Sequence, residues 1–218
     1  MAVLDGTALT LRRTAAAAAL AARQLARQGS KTLAILGTGA LSVPLAQAHA
    51  GVMPFENVLV WGRQASKAQA VVAQLQQLGI DASVATDLEH TLAQSDVVAA
   101  ATTATEPFIR ATWVRPGTHI GLIGAFTAQM AEAEPALMAQ AQVFADSRSA
   151  VLEKGGEVFQ AIQQGLMAPT AIQAELAELA AQPPGQARRD AKDITVFKSV
   201  GFASLDLIAA ELVYNTQA

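Results

Sequence analysis

The sequence predicts an α/β fold of the Rossmann type, in which helices flank a doubly wound parallel sheet. Three observations predict this class. Short apolar runs alternate with helix-forming stretches over most of the chain. One run, Leu33–Leu36, leads directly into the glycine turn Gly37-Thr38-Gly39 and then into an alanine-rich helical stretch. A second apolar run, Asn57–Trp61, follows and completes a βαβ unit.

The remaining elements follow from the same two patterns. Short apolar runs bounded by turn residues predict seven strands, at residues 33–36, 57–61, 82–85, 97–101, 119–124, 142–146 and 194–197. Helical spacing of apolar residues predicts helices at residues 15–28, 43–51, 66–78, 88–94, 131–140, 150–166, 171–181 and 205–214. Thr10 is predicted as an N-cap, Met1–Leu9 as an edge strand or an arm, and Gly155-Gly156 as a break in one helix.

These elements group into three segments. Residues 1–30 form an N-terminal arm and an alanine-rich helix, and residues 31–147 form a dinucleotide-binding core. Residues 148–218 form a C-terminal helical segment that packs back on the core, as helices left from a second lobe.

Composition excludes several classes of function. The chain has 218 residues, of which 52% are hydrophobic, enough to build a full core. The net charge of −3 argues against nucleic-acid binding and against an anionic membrane surface. With no cysteine and with His49, His90 and His119 in separate elements, we expect no disulfide, no thiol nucleophile and no metal site. No uncharged apolar run is long enough to span a bilayer, and we expect a cytoplasmic protein.

The glycine turn is the strongest functional signal. Gly37 allows a sharp turn, Gly39 allows the backbone to approach a pyrophosphate, and the free N–H groups at the helix start face the anion. The third small position is Ser42 instead of Gly or Ala. The alternative is an ordinary tight turn.

The end of the second strand favours NADP(H) over NAD(H). An NAD enzyme carries Asp or Glu there for the ribose 2′-hydroxyl, whereas this chain has Arg63, with Ser66 and Lys67 close behind. These groups suit a 2′-phosphate. The alternative is that Arg63 and Lys67 only cover the start of a solvated helix. Thr102 and Thr103, at the end of the fourth strand, either bind ligand or cap the following loop.

Several motifs, in order along nearly the whole chain, resemble the ornithine cyclodeaminase/mu-crystallin family of dinucleotide-dependent proteins. They are residues 9–10 with 13–16, the glycine turn 37–40, and residues 104–107, 116–120, 143–146 and 195–201. Leu41 stands where the family usually has Gln.

The resemblance implies roles for individual residues. Arg13 is expected to contact the cofactor pyrophosphate and the substrate. Ala40 and Leu41 are expected to hold phosphate through their backbone. Thr102, Thr103, Leu122 and Gly124 are expected to line the ribose and nicotinamide, and Ser199 and Val200 to close the site, with Val200 also facing the substrate. No catalytic residue is assigned.

The resemblance also selects a branch of the family. Ornithine cyclodeaminases place an Asp where this chain has Phe126, and Gly124-Ala125-Phe126-Thr127 instead resembles the cyclic-ketimine reductases. These reduce 1-pyrroline-2-carboxylate or 1-piperideine-2-carboxylate with a nicotinamide cofactor. Glu157 also replaces the Asp that usually follows Gly156.

Two further hypotheses stay open because family members carry an N-terminal lobe, with substrate-binding cations, ahead of the position of Met1. Arg12, Arg13 and Arg110 are the cations near the expected cleft that could replace them. The chain is therefore either an NADPH-dependent reductase of an imino acid, complete only if substrate cations come from elsewhere, or a cofactor-binding protein of mu-crystallin type without turnover. We expect a homodimer, or association through the face left by the missing lobe. A third hypothesis is a truncated member that associates through an exposed apolar face.

Overall fold

The structure is a computed structural model that describes residues 3–217, with the side chains of residues 3–216. A single eight-stranded sheet crosses its centre. The strands are Thr32–Leu36 (β1), Asn57–Trp61 (β2), Ala82–Val84 (β3), Val97–Ala100 (β4), His119–Leu122 (β5), Ala141–Ala145 (β6), Ile172–Glu175 (β7) and Ile194–Lys198 (β8). All seven pairings are parallel, in the order β3-β2-β1-β4-β5-β8-β6-β7. The predicted fold class, a doubly wound parallel sheet, is confirmed.

Helices cover both faces of this sheet. They are Gly6–Leu25 (α1), Ser42–Val52 (α2), Ala65–Gln77 (α3), Leu88–Gln94 (α4), Pro135–Gln140 (α5), Arg148–Lys154 (α6), Gly156–Gln163 (α7), Leu176–Ala180 (α8) and Ala203–Gln217 (α9). The chain winds from β1 towards β3 in one direction and from β4 towards β5 in the other. Between β1 and β4 the winding reverses, and in this class of sheet ligands bind at the carboxyl ends of the strands there.

The N-terminal predictions were wrong. Helix α1 begins at Gly6, so the segment before Thr10 is neither an edge strand nor an arm along its whole length, and residues 1–2 lie outside the described part. Asp5 is the N-cap, because its Oδ1 accepts hydrogen bonds from the amides of Thr7 at 2.9 Å and Ala8 at 3.1 Å. Such a side-chain acceptor satisfies amides that a helix start leaves free.

The helix predicted at residues 171–181 was also wrong over its first half. Ile172–Glu175 is strand β7, which extends the sheet beside β6, and α8 begins only at Leu176. Ile172 is buried, and pairing with β6 satisfies the backbone of a segment whose sequence has no clear period of its own. The segment from residue 148 onwards therefore contributes two strands to the sheet as well as helices, while the division into three segments stays a prediction. The predicted break at Gly155-Gly156 is confirmed as the boundary between α6 and α7.

Alanines let α1 bury two of its faces. Ala15, Ala18 and Ala22 pack in a cluster with Leu33 and Ile35 of β1. On the adjacent face, the residues Ala17, Ala21 and Leu25 pack with Phe144 of β6 and Phe197 of β8. Short side chains allow the helix to lie close to the sheet, so α1 ties the two halves of the sheet together.

Two histidines, His49 of α2 and His119 of β5, are buried. Because of them we expect the protein to lose stability in acid. Burial lowers the pKa of His49 to about 4, and burial followed by the charge of Arg188 lowers the pKa of His119 well below its usual value. Between about pH 6.5 and pH 4 the unfolded chain binds a proton at His49 that the folded chain does not. The contribution of neutral His49 to the free energy of unfolding is therefore fully present above pH 6.5. As the pH falls through this window, the free energy of unfolding decreases by about 3 kcal/mol for His49 alone.

Urea unfolding of the wild type and of His49→Gln between pH 4.5 and 7.5 checks this expectation. The variant is expected to show a flatter pH dependence, because one of the two titrating groups is gone. His90→Gln is the control, since His90 is exposed on α4. Equal slopes for all three proteins would contradict the prediction.

Candidate functional site

A cavity of about 950 Å³ opens at the carboxyl ends of β1, β2 and β4. Three segments line it: the glycine turn after β1, the end of β2 with the start of α3, and the loop after β4. The lining residues are 37–39, 61–64, 67 and 101–108. This is the place where the winding of the sheet reverses, so the cavity lies where ligands bind in this class of fold.

Gly37 is required by the shape of the turn. Its φ is +124°, and a Cβ there would lie 2.6 Å from the carbonyl oxygen of Ala101. The Gly37 amide donates to the Trp61 carbonyl at 2.9 Å, and the Ser42 hydroxyl donates to the Gly37 carbonyl at 2.9 Å. Ser42, the departure from the usual small residue, is therefore buried and secures the turn with its own hydrogen bond.

The turn leaves donors free for an anion. Helix α2 begins at Ser42, and its N-cap residue Leu41 makes no side-chain cap. Within residues 3–217, the amides of Thr38, Gly39, Ala40 and Leu41 donate to no protein acceptor. Nothing lies within 4 Å of a Cβ placed on Gly39. Free amides, a helix N-terminus and open space above Gly39 fit the diphosphate of a dinucleotide.

Arg63 and Lys67 line the side of the cavity next to β2, and both side chains are exposed. Ser66 is also exposed, one residue before Lys67, but does not line the cavity. Glu106 is the one carboxylate in the lining of this cavity, and it belongs to the loop after β4. The position at the end of β2 is thus cationic.

Two aromatic rings that the sequence interpretation left out form one wall. Trp61 at the end of β2 stacks on Phe108, with ring centroids 5.5 Å apart and planes 18° apart. Offset stacking of this kind stabilises the wall. Trp61 was visible in the sequence only as the last residue of a strand. Its partner lies 47 positions later, so no local spacing connects the two.

Arg13 lies away from the lining of this cavity. Its Nε donates to Asp206 Oδ1 at 2.8 Å, an ion pair between α1 and α9. A Cβ placed on Gly201 would lie 3.2 Å from Arg13 Nη1, so Arg13 also adjoins the loop that follows β8. The expected contact of Arg13 with the cofactor pyrophosphate stays a prediction.

Asp146 holds that loop. Its Oδ2 accepts hydrogen bonds from the hydroxyl of Ser199 at 2.8 Å and from the amides of Val200 at 2.9 Å and Gly201 at 2.7 Å. Asp146 is only 2% exposed. One carboxylate therefore sets the path of the segment that was predicted to close the site.

Glu132 links the loops after β4 and β5 in the same way. Its Oε1 accepts from the amide of Thr102 at 2.7 Å and from the Thr102 hydroxyl at 2.9 Å, while its Oε2 accepts from the amide of Gly124 at 2.7 Å. Burial raises the pKa of the Glu132 carboxyl, although the positive charge of Lys198 opposes this. Leu122, just before this loop, has its side chain in the hydrophobic core, so only its backbone can face a ligand.

Behind Glu132 lies a buried ion pair. Lys198 Nζ of β8 is 2.9 Å from Glu157 Oε2 of α7, and both side chains are 0% exposed. Within the described residues neither of these two atoms makes an aligned hydrogen bond. The pair is therefore held by electrostatic attraction. Because both groups are buried, each charge offsets the cost of removing the other from water.

Six predicted residues line the cavity: Gly37, Gly39, Arg63, Lys67, Thr102 and Thr103. Ala40 and Leu41 adjoin it in the glycine turn. The residues Arg13, Ser199 and Val200 form a second group around the loop after β8. Gly124 is joined to Thr102 through Glu132.

Residues 3–217 contain no group of three or more histidine, cysteine, aspartate or glutamate side chains that could hold a metal ion. No helix in this described range has the length and apolarity to cross a membrane.

Comparison with known proteins identifies the family. The model of the ornithine cyclodeaminase/mu-crystallin family matches residues 1–218. The Δ1-pyrroline-2-carboxylate reductase of Paracoccus denitrificans is 40% identical over 219 residues, covering 100% of this chain and 69% of the relative. The ketimine reductase mu-crystallin of Mus musculus is 35% identical over 216 residues, covering 99% of this chain and 65% of the relative.

A solved structure extends the likeness to the fold. Thermococcus litoralis Δ1-pyrroline-2-carboxylate reductase, in complex with NADH and L-proline, matches with a TM-score of 0.92 at 32% identity. The match covers 99% of this chain and 67% of that one. The resemblance of the motifs is confirmed: the chain belongs to the ornithine cyclodeaminase/mu-crystallin family.

Proposed function

We propose that the chain binds NADP(H) and supports the reduction of a cyclic ketimine carboxylate, 1-pyrroline-2-carboxylate or 1-piperideine-2-carboxylate, to the cyclic amino acid. The observation that carries the proposal is the cationic position at the end of β2, where Arg63 and Lys67 line the cavity next to the glycine turn. A carboxylate there would repel a 2′-phosphate, whereas a guanidinium binds it through two parallel hydrogen bonds. The reductase and ketimine reductase names of the relatives support the substrate class.

In this proposal the residues of the chain bind and orient the reactants. The free amides of the glycine turn hold the diphosphate, and Arg63 with Ser66 and Lys67 holds the 2′-phosphate. Thr102, Gly124 and the loop at Ser199 surround the nicotinamide end. When bound, the cofactor supplies the hydride that the C=N carbon receives, while the nitrogen takes a proton.

The Arg63→Ala variant is expected to weaken NADPH binding about 10- to 100-fold and to leave NADH binding nearly unchanged. The lost contact is a charge-assisted pair that only the 2′-phosphate can make. Titration of nicotinamide fluorescence with both nucleotides measures the two dissociation constants.

Arg23→Ala is the matched control for Arg63→Ala, since Arg23 is an exposed arginine on α1 that does not line the cavity. It is expected to leave both dissociation constants unchanged. The Thermococcus litoralis relative was solved in complex with NADH. If the wild type of this chain binds NADH more tightly than NADPH, the proposed cofactor preference is contradicted.

A second candidate is cofactor binding without turnover by this chain alone. Two of the cations near the cleft already have partners, because Arg13 pairs with Asp206 and Arg110 lies over the Trp113 ring at 4.8 Å. A substrate carboxylate would have to compete for them. Assay of NADPH oxidation with 1-piperideine-2-carboxylate separates the candidates, because only the reductase consumes both compounds.

We also propose that the chain forms a homodimer. Leu207, Ile208 and Leu212 on α9 are each at least 60% exposed, which leaves an apolar strip on the surface. Apolar strips of this kind are usually covered. Sedimentation analysis of the wild type gives the oligomeric state, and a monomer at all concentrations would contradict the proposal.

A further inference from the structure

Glu132 is a buried acid whose three acceptor contacts all reach the two loops that border the nicotinamide end of the proposed site. It is 0% exposed, and it receives two hydrogen bonds from Thr102 and one from Gly124. Thr102 follows β4 and Gly124 follows β5, so one carboxylate bridges the ends of two neighbouring strands. The Thr102 hydroxyl also accepts a hydrogen bond from the Ala104 amide at 3.3 Å, so Glu132 and Thr102 together join the two loops.

The two loops meet without spare room. A Cβ placed on Gly124 would overlap the backbone nitrogen and oxygen of Thr102 and the Oε1 atom of Glu132. Around Gly124 the spacing of the loops is therefore set by direct backbone contact and by the Glu132 carboxylate, while backbone hydrogen bonds, such as the one from the Ala131 amide to the Ala104 carbonyl at 3.1 Å, join the same loops farther along. A change of the carboxylate has to be absorbed by movement of a loop, because neither backbone can shift towards the other.

Glu132 is itself held in place from behind. Its amide donates to Glu157 Oε1 at 2.8 Å, and Glu157 Oε2 lies 2.9 Å from Lys198 Nζ. Lys198 ends β8 and precedes Ser199, which is bonded to Asp146. A continuous string of buried polar groups thus runs along the carboxyl edge of the sheet from β4 to β8.

We propose that Glu132 is a positioning residue of the site, which locks the loops after β4 and β5 at the separation that the nicotinamide half of the cofactor needs. This rests on the proposed function for the identity of the ligand. In the proposed function the adenosine half binds at the glycine turn and Arg63, and neither of these makes a hydrogen bond to Glu132.

Only a carboxylate on a side chain of this length can accept the hydrogen bonds from both loops at once. Three donors converge on the two oxygens of Glu132. In Glu132→Gln, one oxygen is replaced by an NH2 group that must face a donor in one of the two loops, so that loop is released. Glu132→Asp keeps the charge but is one methylene shorter, and it reaches only one loop at a time.

The experiment compares Glu132→Gln and Glu132→Asp with Glu134→Gln, a matched control in the same segment. Glu134 accepts a hydrogen bond from the Ala111 amide at 3.0 Å and does not line the cavity. Binding of NADPH and of adenosine 2′,5′-bisphosphate, which carries only the adenosine half, is measured by titration. Hydrogen exchange is followed in peptides that cover residues 101–105 and 123–127.

Glu132→Gln is expected to weaken NADPH binding about tenfold or more and to leave adenosine 2′,5′-bisphosphate binding unchanged. Exchange is expected to rise in at least one of the two loops, and the Glu134→Gln control is expected to change neither reading. Equal losses for the two ligands, or unchanged exchange in both loops, would overturn the inference. If the wild type binds neither nucleotide, the proposed function fails, and hydrogen exchange still decides whether Glu132 holds the loops. Glu132→Asp provides the same readings if the glutamine variant does not fold.

Discussion

Replacing Gly37 by alanine is expected to abolish dinucleotide binding and to lower the free energy of unfolding by about 2 to 4 kcal/mol. Gly37 has a φ of +124°, a region that L-residues rarely adopt, and the added Cβ would lie 2.6 Å from the Ala101 carbonyl oxygen. The turn must therefore open, which moves the free amides at the start of α2. Urea unfolding and NADPH titration measure the two effects.

The matched control is Gly39→Ala, which separates a glycine needed by the fold from one needed by the ligand. A Cβ on Gly39 meets nothing within 4 Å, so the variant is expected to keep the stability of the wild type. Its NADPH affinity is expected to fall nonetheless, because the methyl group occupies the space above the turn where a diphosphate would approach. Tight NADPH binding by Gly37→Ala would contradict the proposed role of the turn.

Replacing Lys198 by methionine is expected to lower the free energy of unfolding by about 3 to 5 kcal/mol. The substitution leaves the Glu157 carboxylate buried without its cation, next to the buried carboxyl of Glu132. Removing one partner of a buried pair costs much more than the pair itself contributes, since desolvation of the remaining charge is no longer offset.

A double-mutant cycle tests this coupling. Adding Glu157→Gln to Lys198→Met is expected to recover a large part of the lost stability, because the uncompensated charge is removed. Lys31→Met is the control: the Lys31–Glu56 pair has a similar separation of 2.7 Å, but its side chains are 63% and 59% exposed. Its loss is expected to stay below about 1 kcal/mol. Equal losses for Lys31→Met and Lys198→Met would refute the assignment of a buried pair.

Most of the sheet could be predicted because strands buried on both faces read as continuous apolar runs. Val97–Ala100 is such a run, and all four residues are buried. The helix Leu88–Gln94 was predicted with its observed bounds, because Ser95 and Asp96 separate it from the next strand. Ile172–Glu175 carries no such pattern, and its conformation depends on a partner strand nearly thirty residues away.

The candidate site shows the same division between local and distant signals. The glycine turn and Arg63 are local signals, since turn, helix start and strand end follow one another along the chain. Glu132 and Asp146 are single acids whose partners lie 30 and 53 positions away, so no spacing indicates that they connect loops. Trp61 and Phe108 are likewise joined only by the fold.

The strand order has a consequence for how the chain reaches its native state. In space β8 lies between β5 and β6, yet it follows both β6 and β7 along the chain. During synthesis β6 and β7 cannot join the rest of the sheet until residues 194–198 pair with β5 and β6. The face of α1 that carries Ala17, Ala21 and Leu25 likewise lacks Phe197 to pack against until then. Closing such a long-range contact is slow. The nascent chain therefore keeps an unpaired strand edge and an apolar helix face exposed until β8 pairs with β5 and β6, and during this interval it is open to aggregation and to chaperone binding.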